Sequence, residues 1–221
     1  MSRKSKTLPQ SPEIWSGFLS VRIEVLCTAL DLLSIDENTK KDENEISKAL
    51  NVTIKEASFR HEKRPETPAW DAKKAPKTED ERHLPSIGKR PDFIYKFVDP
   101  TAESAKNHEI LLDIECKRIG NNNPLWNLNM NYVDKGIKRF DLLSHEYGKD
   151  SIDGIMIGYI IDSVKIEIQE VINKALPGNI EQINFKNSNK VEHVITKYFR
   201  KNVSPADFNL HHIWADFTKI T

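Results

Sequence analysis

Hydrophobic positions fall at helical spacing between Glu13 and Leu33, where Ile14, Trp15, Phe18, Leu19, Val25, Leu26, Ala29, Leu30 and Leu33 follow an i, i+3, i+4 pattern. This predicts a long amphipathic helix, with Ser11 as its cap and Pro12 at its first position. Glu24, Thr28 and Asp31 share its polar side. A weaker helical pattern runs through Ile46, Leu50, Ile54, Ala57 and Phe59 in densely charged surroundings. The stretch HEKRPETPAWDAKKAPKTEDERHLP has four prolines and no periodicity, which reads as a long exposed loop.

The texture changes at Lys89. Asp92–Val98 (DFIYKFV) and Glu109–Lys117 (EILLDIECK) are short, apolar and rich in strand formers, with a polar stretch between them. They predict a β-hairpin with a long turn. After the loop GNNNPLWNLN, Tyr132–Tyr147 places Val133, Ile137, Phe140, Leu142 and Leu143 at helical spacing. Gly154–Ile161 is nearly all apolar, as a strand buried on both faces must be. Val164–Leu176 predicts a helix ended by Pro177-Gly178, and VEHVITKYF and NLHHIWADF are strand candidates. The order of elements predicts an α/β (α+β) three-layer fold, a central mixed sheet flanked by helices.

Length and composition narrow the class. The 221 residues suit a single domain, 1–221, able to bury a core without disulfide or metal staples. Residues 1–10 read as a flexible basic tail and 36–85 as a polar insertion. Residues 86–161 read as the core and 162–221 as a C-terminal elaboration. Two cysteines far apart, Cys27 and Cys116, give neither a disulfide framework nor a CxxC site, so a reducing cytoplasm is expected. No signal peptide is visible, and no run approaches the ~18 apolar residues of a membrane span. Lys plus Arg and Asp plus Glu both number 33, so the net charge is zero. That excludes a polycation coating nucleic acid by excess charge, but not a local basic cleft. Lys89, Arg90, Lys117, Arg118, Lys135, Lys138 and Arg139 fall around the hairpin and the helix after it.

The chemistry lies in the hairpin. Strand alternation puts Asp113, Glu115 and Lys117 on one face, with Ile114 and Cys116 on the other. If Val98 and Glu109 bracket the turn, antiparallel partners sum to 207, which sets Asp92 opposite Glu115 to within about a residue or two. Two adjacent carboxylates repel unless a cation lies between them. Hard oxygen ligands suit Mg²⁺, with Mn²⁺ able to substitute. A neighbouring lysine can hold a water and neutralise charge on a phosphoryl group. The competing reading is an ordinary cross-strand ion pair, with Asp113 structural or peripheral.

Arg90-Pro91-Asp92, a gap, then Glu115-Cys116-Lys117 resembles the PD-(D/E)XK nuclease superfamily, which includes restriction endonucleases. The order helix, hairpin, helix, buried strand is similar to that family's core over roughly half the chain. The resemblance implies a restriction-endonuclease-like core and an Mg²⁺-dependent DNA endonuclease of prokaryotic defence or restriction type. It implies metal ligation by Asp92, Glu115 and the Cys116 carbonyl, with Lys117 acting on the attacking water and the ion stabilising the leaving oxygen. It offers Glu24 as the further glutamate that many members supply from the first helix. Gly136-Ile137-Lys138-Arg139-Phe140 also resembles a Gly-Ile-x-Arg-Phe element of some restriction-like and phage-defence members. DNA is the implied partner, together with a homodimer or a partner protein. The alternatives are a non-catalytic binding or assembly module of the same fold, and a nuclease acting on RNA or branched DNA.

Other residues admit two readings. Lys135, Lys138 and Arg139 could grip phosphates or form a solvated helix face. Arg60, Lys63, Arg64, Lys73, Lys74 and Lys77 could form a DNA-contacting flap or a plain loop. Adjacent His211 and His212 face opposite ways on a strand, so one buried and one exposed is expected. Trp15, Trp126 and Trp214 are read as core or loop anchors, and Asn121–Asn123 as turn residues.

Overall fold

A computed structural model describes residues 11–62, 66–77, 79–103, 108–120, 127–149, 151–186 and 189–218. The expectations for Lys63, Arg64, Asn121–Asn123 and Trp126 lie outside them.

Helix α1 spans Pro12–Leu32, with Pro12 at its first turn; Ser11 precedes it but its side chain caps no backbone N–H. Trp15, Leu19, Val25, Leu26, Ala29 and Leu30 face the core. Arg22 is buried among them because two carboxylates neutralise it, Glu62 at 2.5 Å and Glu66 at 2.6 Å. Asp42 starts helix α2, Glu43–Glu62: its side chain accepts from Asn44 N and its carbonyl from Ile46 N. Ile46, Leu50, Ile54 and Ala57 of α2 are wholly buried in the same core as α1. Residues 43–62 are therefore part of the core layer, not of a polar insertion. Dense charge on the other face of α2 hides an apolar stripe one residue wide per turn.

Among the described residues six strands form one mixed sheet, in the order β1-β2-β3-β4-β6-β5. Strand β1, Ala69–Trp70, lies inside the proline-rich stretch and pairs antiparallel with the edge of β2, Phe93–Val98. Two residues are too short to leave a period-2 signature. Strand β3, Glu109–Ile119, pairs antiparallel with β2 from Val98↔Glu109 to Phe93↔Ile114, the register expected from the sequence. Strand β4, Asp153–Ile160, is buried at every position and runs parallel to β3 and β6. Strand β5, Val191–Phe199, pairs antiparallel with β6, Asp207–Asp216. The last third of the chain thus completes the sheet.

Between β3 and β4 the chain forms a broken helix. Helix α3, Leu128–Asn131, widens into a π turn over Tyr132–Gly136 and tightens into a 3₁₀ turn over Ile137–Asp141. It ends six residues before the expected Tyr147. Gly136 accounts for the break: a Cβ there would stand 2.4 Å from Met156 Cε and 3.4 Å from Lys117 Cγ. The backbone presses onto β3 and β4 more closely than a regular helix with side chains allows. Helix α4, Lys165–Ala175, follows β4.

The layers follow strand alternation. Phe93, Tyr95, Leu112, Ile114, Cys116, Ile155, Ile157 and Tyr159 pack with α1 and α2. On the opposite face Ile119, Met156, Ile160, Leu210 and Trp214 pack with the broken helix and α4. The architecture is α+β, a six-stranded mixed sheet with helices on both faces. No helix among the described residues is long and apolar enough to cross a membrane.

His211 and His212 correct the expectation of one exposed ring, because both are buried. Each has a polar partner distant in sequence. His211 Nε2 lies 3.0 Å from Asp153 Oδ1, and His212 is held between the Tyr132 hydroxyl at 2.8 Å and Thr196 Oγ1 at 3.0 Å. Trp15 and Trp214 are buried anchors that donate to Asp153 Oδ2 and to the Tyr132 hydroxyl.

Candidate active site

The β2–β3 register brings Asp92, immediately before β2, level with Glu115. Its Oδ2 accepts from Cys116 N at 2.6 Å, which ties the carboxylate to the centre of β3. Glu115 and Lys117 project from β3 toward the broken helix, as alternation requires. Lys117 Nζ lies 2.8 Å from Glu115 Oε1, 3.9 Å from Asp92 Oδ2 and 2.6 Å from the Cys116 carbonyl, to which it donates.

A third carboxylate joins them, and it is not Glu24. Glu24 is exposed on α1, beside Cys27. Glu43, at the first position of α2, reaches Lys117 Nζ through Oε1 at 2.8 Å and accepts from Arg118 N through Oε2 at 3.0 Å. Its place follows from local chemistry. Asp36 Oδ1 accepts from Asn38 N and Thr39 N to close the turn before α2, and Asp42 then caps the helix. The Arg118 guanidinium locks this turn to β3 by donating to the carbonyls of Lys40 and Lys41. The helix N-terminus also favours a carboxylate there. No local signal in the sequence connects residue 43 to residue 117, and the charged run around it reads as part of a polar insertion.

Arg139, from the 3₁₀ turn, donates Nη1 to Glu115 Oε1, the oxygen that Lys117 also holds. Arg139 is therefore engaged with the carboxylate cluster rather than lying on a free phosphate-gripping face. Lys135 is exposed, and Lys138 pairs with Asp134 at 2.6 Å. Glu115 itself is fully buried, and its other oxygen, Oε2, has no hydrogen-bond partner among the described residues. An ionised oxygen in that position is costly.

The electrostatics follow from this crowding. Burial, reinforced by Asp92, pushes the Glu115 carboxyl up to about 8 against the pull of Lys117 and Arg139. Burial also raises Asp92, with Lys117 and the Cys116 N–H opposing it. Burial alone would lower Lys117, yet Glu115, Asp92 and Glu43 hold it above the usual lysine range. Burial is the first cause for both carboxyls, so the cluster disfavours bare negative charge on them and favours an added proton or cation. Along one flank, His145 is depressed to about 4, first by burial and then by Arg139, Lys89 and Lys74, which marks that flank as electropositive.

Asp113, two residues before Glu115 on the same face, serves the scaffold. It pairs with buried Lys74 at 2.6 Å and accepts from Gly148 N at 2.7 Å, clamping the 66–77 segment and the 146–148 turn onto β3. Lys74 is thus a buried clasp and not a flap residue. Arg90 pairs with Asp71 at 3.0 Å, and Arg60 pairs with Glu56 within α2.

The donors that could hold a metal are the Asp92, Glu115 and Glu43 carboxylates and the Cys116 carbonyl, an all-oxygen set suited to Mg²⁺ or Mn²⁺. In this arrangement no three acidic, His or Cys side chains among the described residues form a ready ligand shell. The Lys117 ammonium bridges two of the carboxylates, and Arg139 holds Glu115. The orphaned, buried Glu115 Oε2 is the position that a further cation would satisfy. A cleft of about 880 Å³ lies elsewhere, beside Val164, Lys165, Ile166, Phe185 and Asp216, and shares no residue with this cluster.

No family model, curated protein or solved structure matches the chain.

Proposed function

We propose that the protein is a divalent-metal-dependent phosphodiester hydrolase acting on DNA, a restriction-endonuclease-like nuclease with Asp92, Glu115 and Lys117 at its centre. The observation that carries this reading is the fully buried Glu115 with a partnerless Oε2, level with Asp92 and in contact with Lys117. The scaffold pair Asp113–Lys74 also leaves one buried oxygen, Asp113 Oδ1, without a partner among the described residues, so what sets the Glu115 cluster apart is that three carboxylates gather around one ammonium.

Asp92, Glu115 and the Cys116 carbonyl would hold the ion, with Glu43 as the helix-borne carboxylate in place of Glu24. When bound, Mg²⁺ supplies charge stabilisation for the phosphoryl group and the leaving oxygen. Lys117 keeps its ammonium among the carboxylates and would position the attacking water through an N–H released when the ion takes up one of its carboxylate partners. Gly136 keeps the broken helix close enough for the Lys117 stem to pack against it. Lys89 and exposed Lys135 give the protein basic side chains suited to a phosphate backbone although its total charge is zero.

One observation favours a second reading, the non-catalytic module. All three N–H groups of the Lys117 ammonium already have acceptors, Glu43, Glu115 and the Cys116 carbonyl. A cleavage assay separates the two readings. Plasmid, single-stranded DNA and RNA are incubated with Mg²⁺, with Mn²⁺ and with chelator, beside Lys117→Ala and Asp92→Ala. Metal-dependent cutting should fall by about 10²-fold or more in each variant. Metal-independent cutting, or variants as active as the parent, overturns the assignment. Binding without cleavage under every condition supports the module.

A further inference from the structure

On the reading of this cluster as a metal centre, the geometry points to Arg139 as a built-in counter-ion that exchanges partners. It holds Glu115 while no divalent ion is bound and is released toward a nucleic-acid phosphate when one binds.

Three observations carry it. First, the charges do not balance once Glu115 is ionised: buried Glu115 and the partly exposed Asp92 and Glu43 face only Lys117 and Arg139 among the described residues. Arg118 adds only its main-chain N–H, since its guanidinium is spent on the carbonyls of Lys40 and Lys41. A divalent ion reverses the sign of the cluster, and a guanidinium that was attracted is then repelled.

Second, the two cations on Glu115 differ in freedom. The Lys117 side chain is 9% exposed and has three acceptors, whereas the Arg139 side chain is 27% exposed and its recorded polar partner is Glu115. Arg139 is the one that can leave without breaking other bonds. It springs from a short, largely buried 3₁₀ turn, next to half-buried Lys138 and near exposed Lys135 in sequence.

Third, both cations crowd onto Oε1 and leave the buried Oε2 without a partner among the described residues, so Oε2 is the oxygen an ion can ligate without competing with Arg139 for the same atom. A guanidinium released at that point has a fork suited to a phosphate. Metal uptake and DNA affinity are thereby coupled through one residue.

The test uses the full chain, with Mg²⁺ titrated calorimetrically and the affinity for a short DNA duplex measured by fluorescence anisotropy in chelator and in Ca²⁺. Arg139→Ala should bind Mg²⁺ about tenfold more tightly than the parent, because a competing cation is gone. It should also lose the metal-dependent gain in duplex affinity. Glu115→Gln frees Arg139 without altering it, and should raise duplex affinity in chelator several-fold, toward the parent's value in metal. This variant keeps the proposal testable if Arg139→Ala unfolds. Unchanged or weaker Mg²⁺ binding by Arg139→Ala, or a duplex affinity in chelator that Glu115→Gln leaves unmoved, overturns the exchange. A parent chain that takes up no Mg²⁺ overturns the metal-centre reading itself, a different result from the first two.

Discussion

Two buried polar clusters sit on the same sheet and behave in opposite ways. Around Asp153 on β4, each carboxylate oxygen is satisfied: Oδ2 accepts from Trp15 Nε1 at 2.7 Å, and Oδ1 from Asn209 at 2.9 Å and faces His211 at 3.0 Å. His211 in turn stacks on His193, 3.0 Å away through its Nδ1. Although burial works against it, the hydrogen bonds of His211 and Trp15 hold Asp153 below the usual carboxylate range. Around Glu115 burial wins, the carboxyl is raised, and one oxygen stays without a partner. Equal burial therefore yields a closed network at one place and an open one at the other. The closed one has the marks of scaffold, the open one those of a ligand site.

The sharpest way to break this comparison is to remove each carboxylate. Asp153→Ala strands three donors from distant parts of the chain and should cost about 3 kcal/mol or more in denaturant unfolding. Glu115→Gln, which replaces a buried carboxyl whose ionisation the fold does not fully compensate, should leave stability at neutral pH unchanged or higher.

The pH dependence should separate the clusters next. Glu115 has a higher pKa folded than unfolded, so between about pH 4.5 and 8 the native state holds the extra proton. Stability from this group should then fall as pH rises, by up to ~1.4 kcal/mol per pH unit. Burial depresses His212 to about 3 and His193 to about 4, so below the ordinary histidine pKa of about 6.5 the unfolded chain takes up the protons. Stability from these groups should fall as pH drops. Glu115→Gln should flatten the alkaline limb of the melting profile and leave the acid limb intact, and His193→Asn, in the Asp153 network, should do the reverse.

Smaller is the effect of metal: Mg²⁺ at about 100 times its Kd should stabilise the parent by ~2.7 kcal/mol, and Glu115→Gln by clearly less. A matching shift in Glu115→Gln would mean that the ion binds elsewhere. The smallest expected change is in Lys138→Ala, whose exposed pair with Asp134 should contribute under about 0.5 kcal/mol.

Local pattern reached some of these elements and not others. The β2–β3 register was legible because strands repeat every two residues and two apolar runs share one turn, which located Asp92 against Glu115 and Lys117. The irregular helix after β3 was legible in position but not in form. Its π and 3₁₀ turns arise from the approach of Gly136 to Met156 and Lys117, which lie on other strands. Glu43 was not legible, since nothing near it distinguishes it from Glu45 or Glu37, and its partner lies 74 residues away. The two histidines failed for the same reason. Their burial depends on Asp153, Tyr132 and Thr196, and composition cannot say which polar groups will meet.

The long reach between Glu43 and Lys117 also bears on when the chain becomes competent. Contacts of that sequence separation close large loops and form late in folding. During synthesis, α1 and α2 emerge and can pair before the strand carrying Glu115 and Lys117 exists. The cluster is complete only after α2 docks on a finished β3, so a truncated or half-folded chain holds the parts of the site without its geometry.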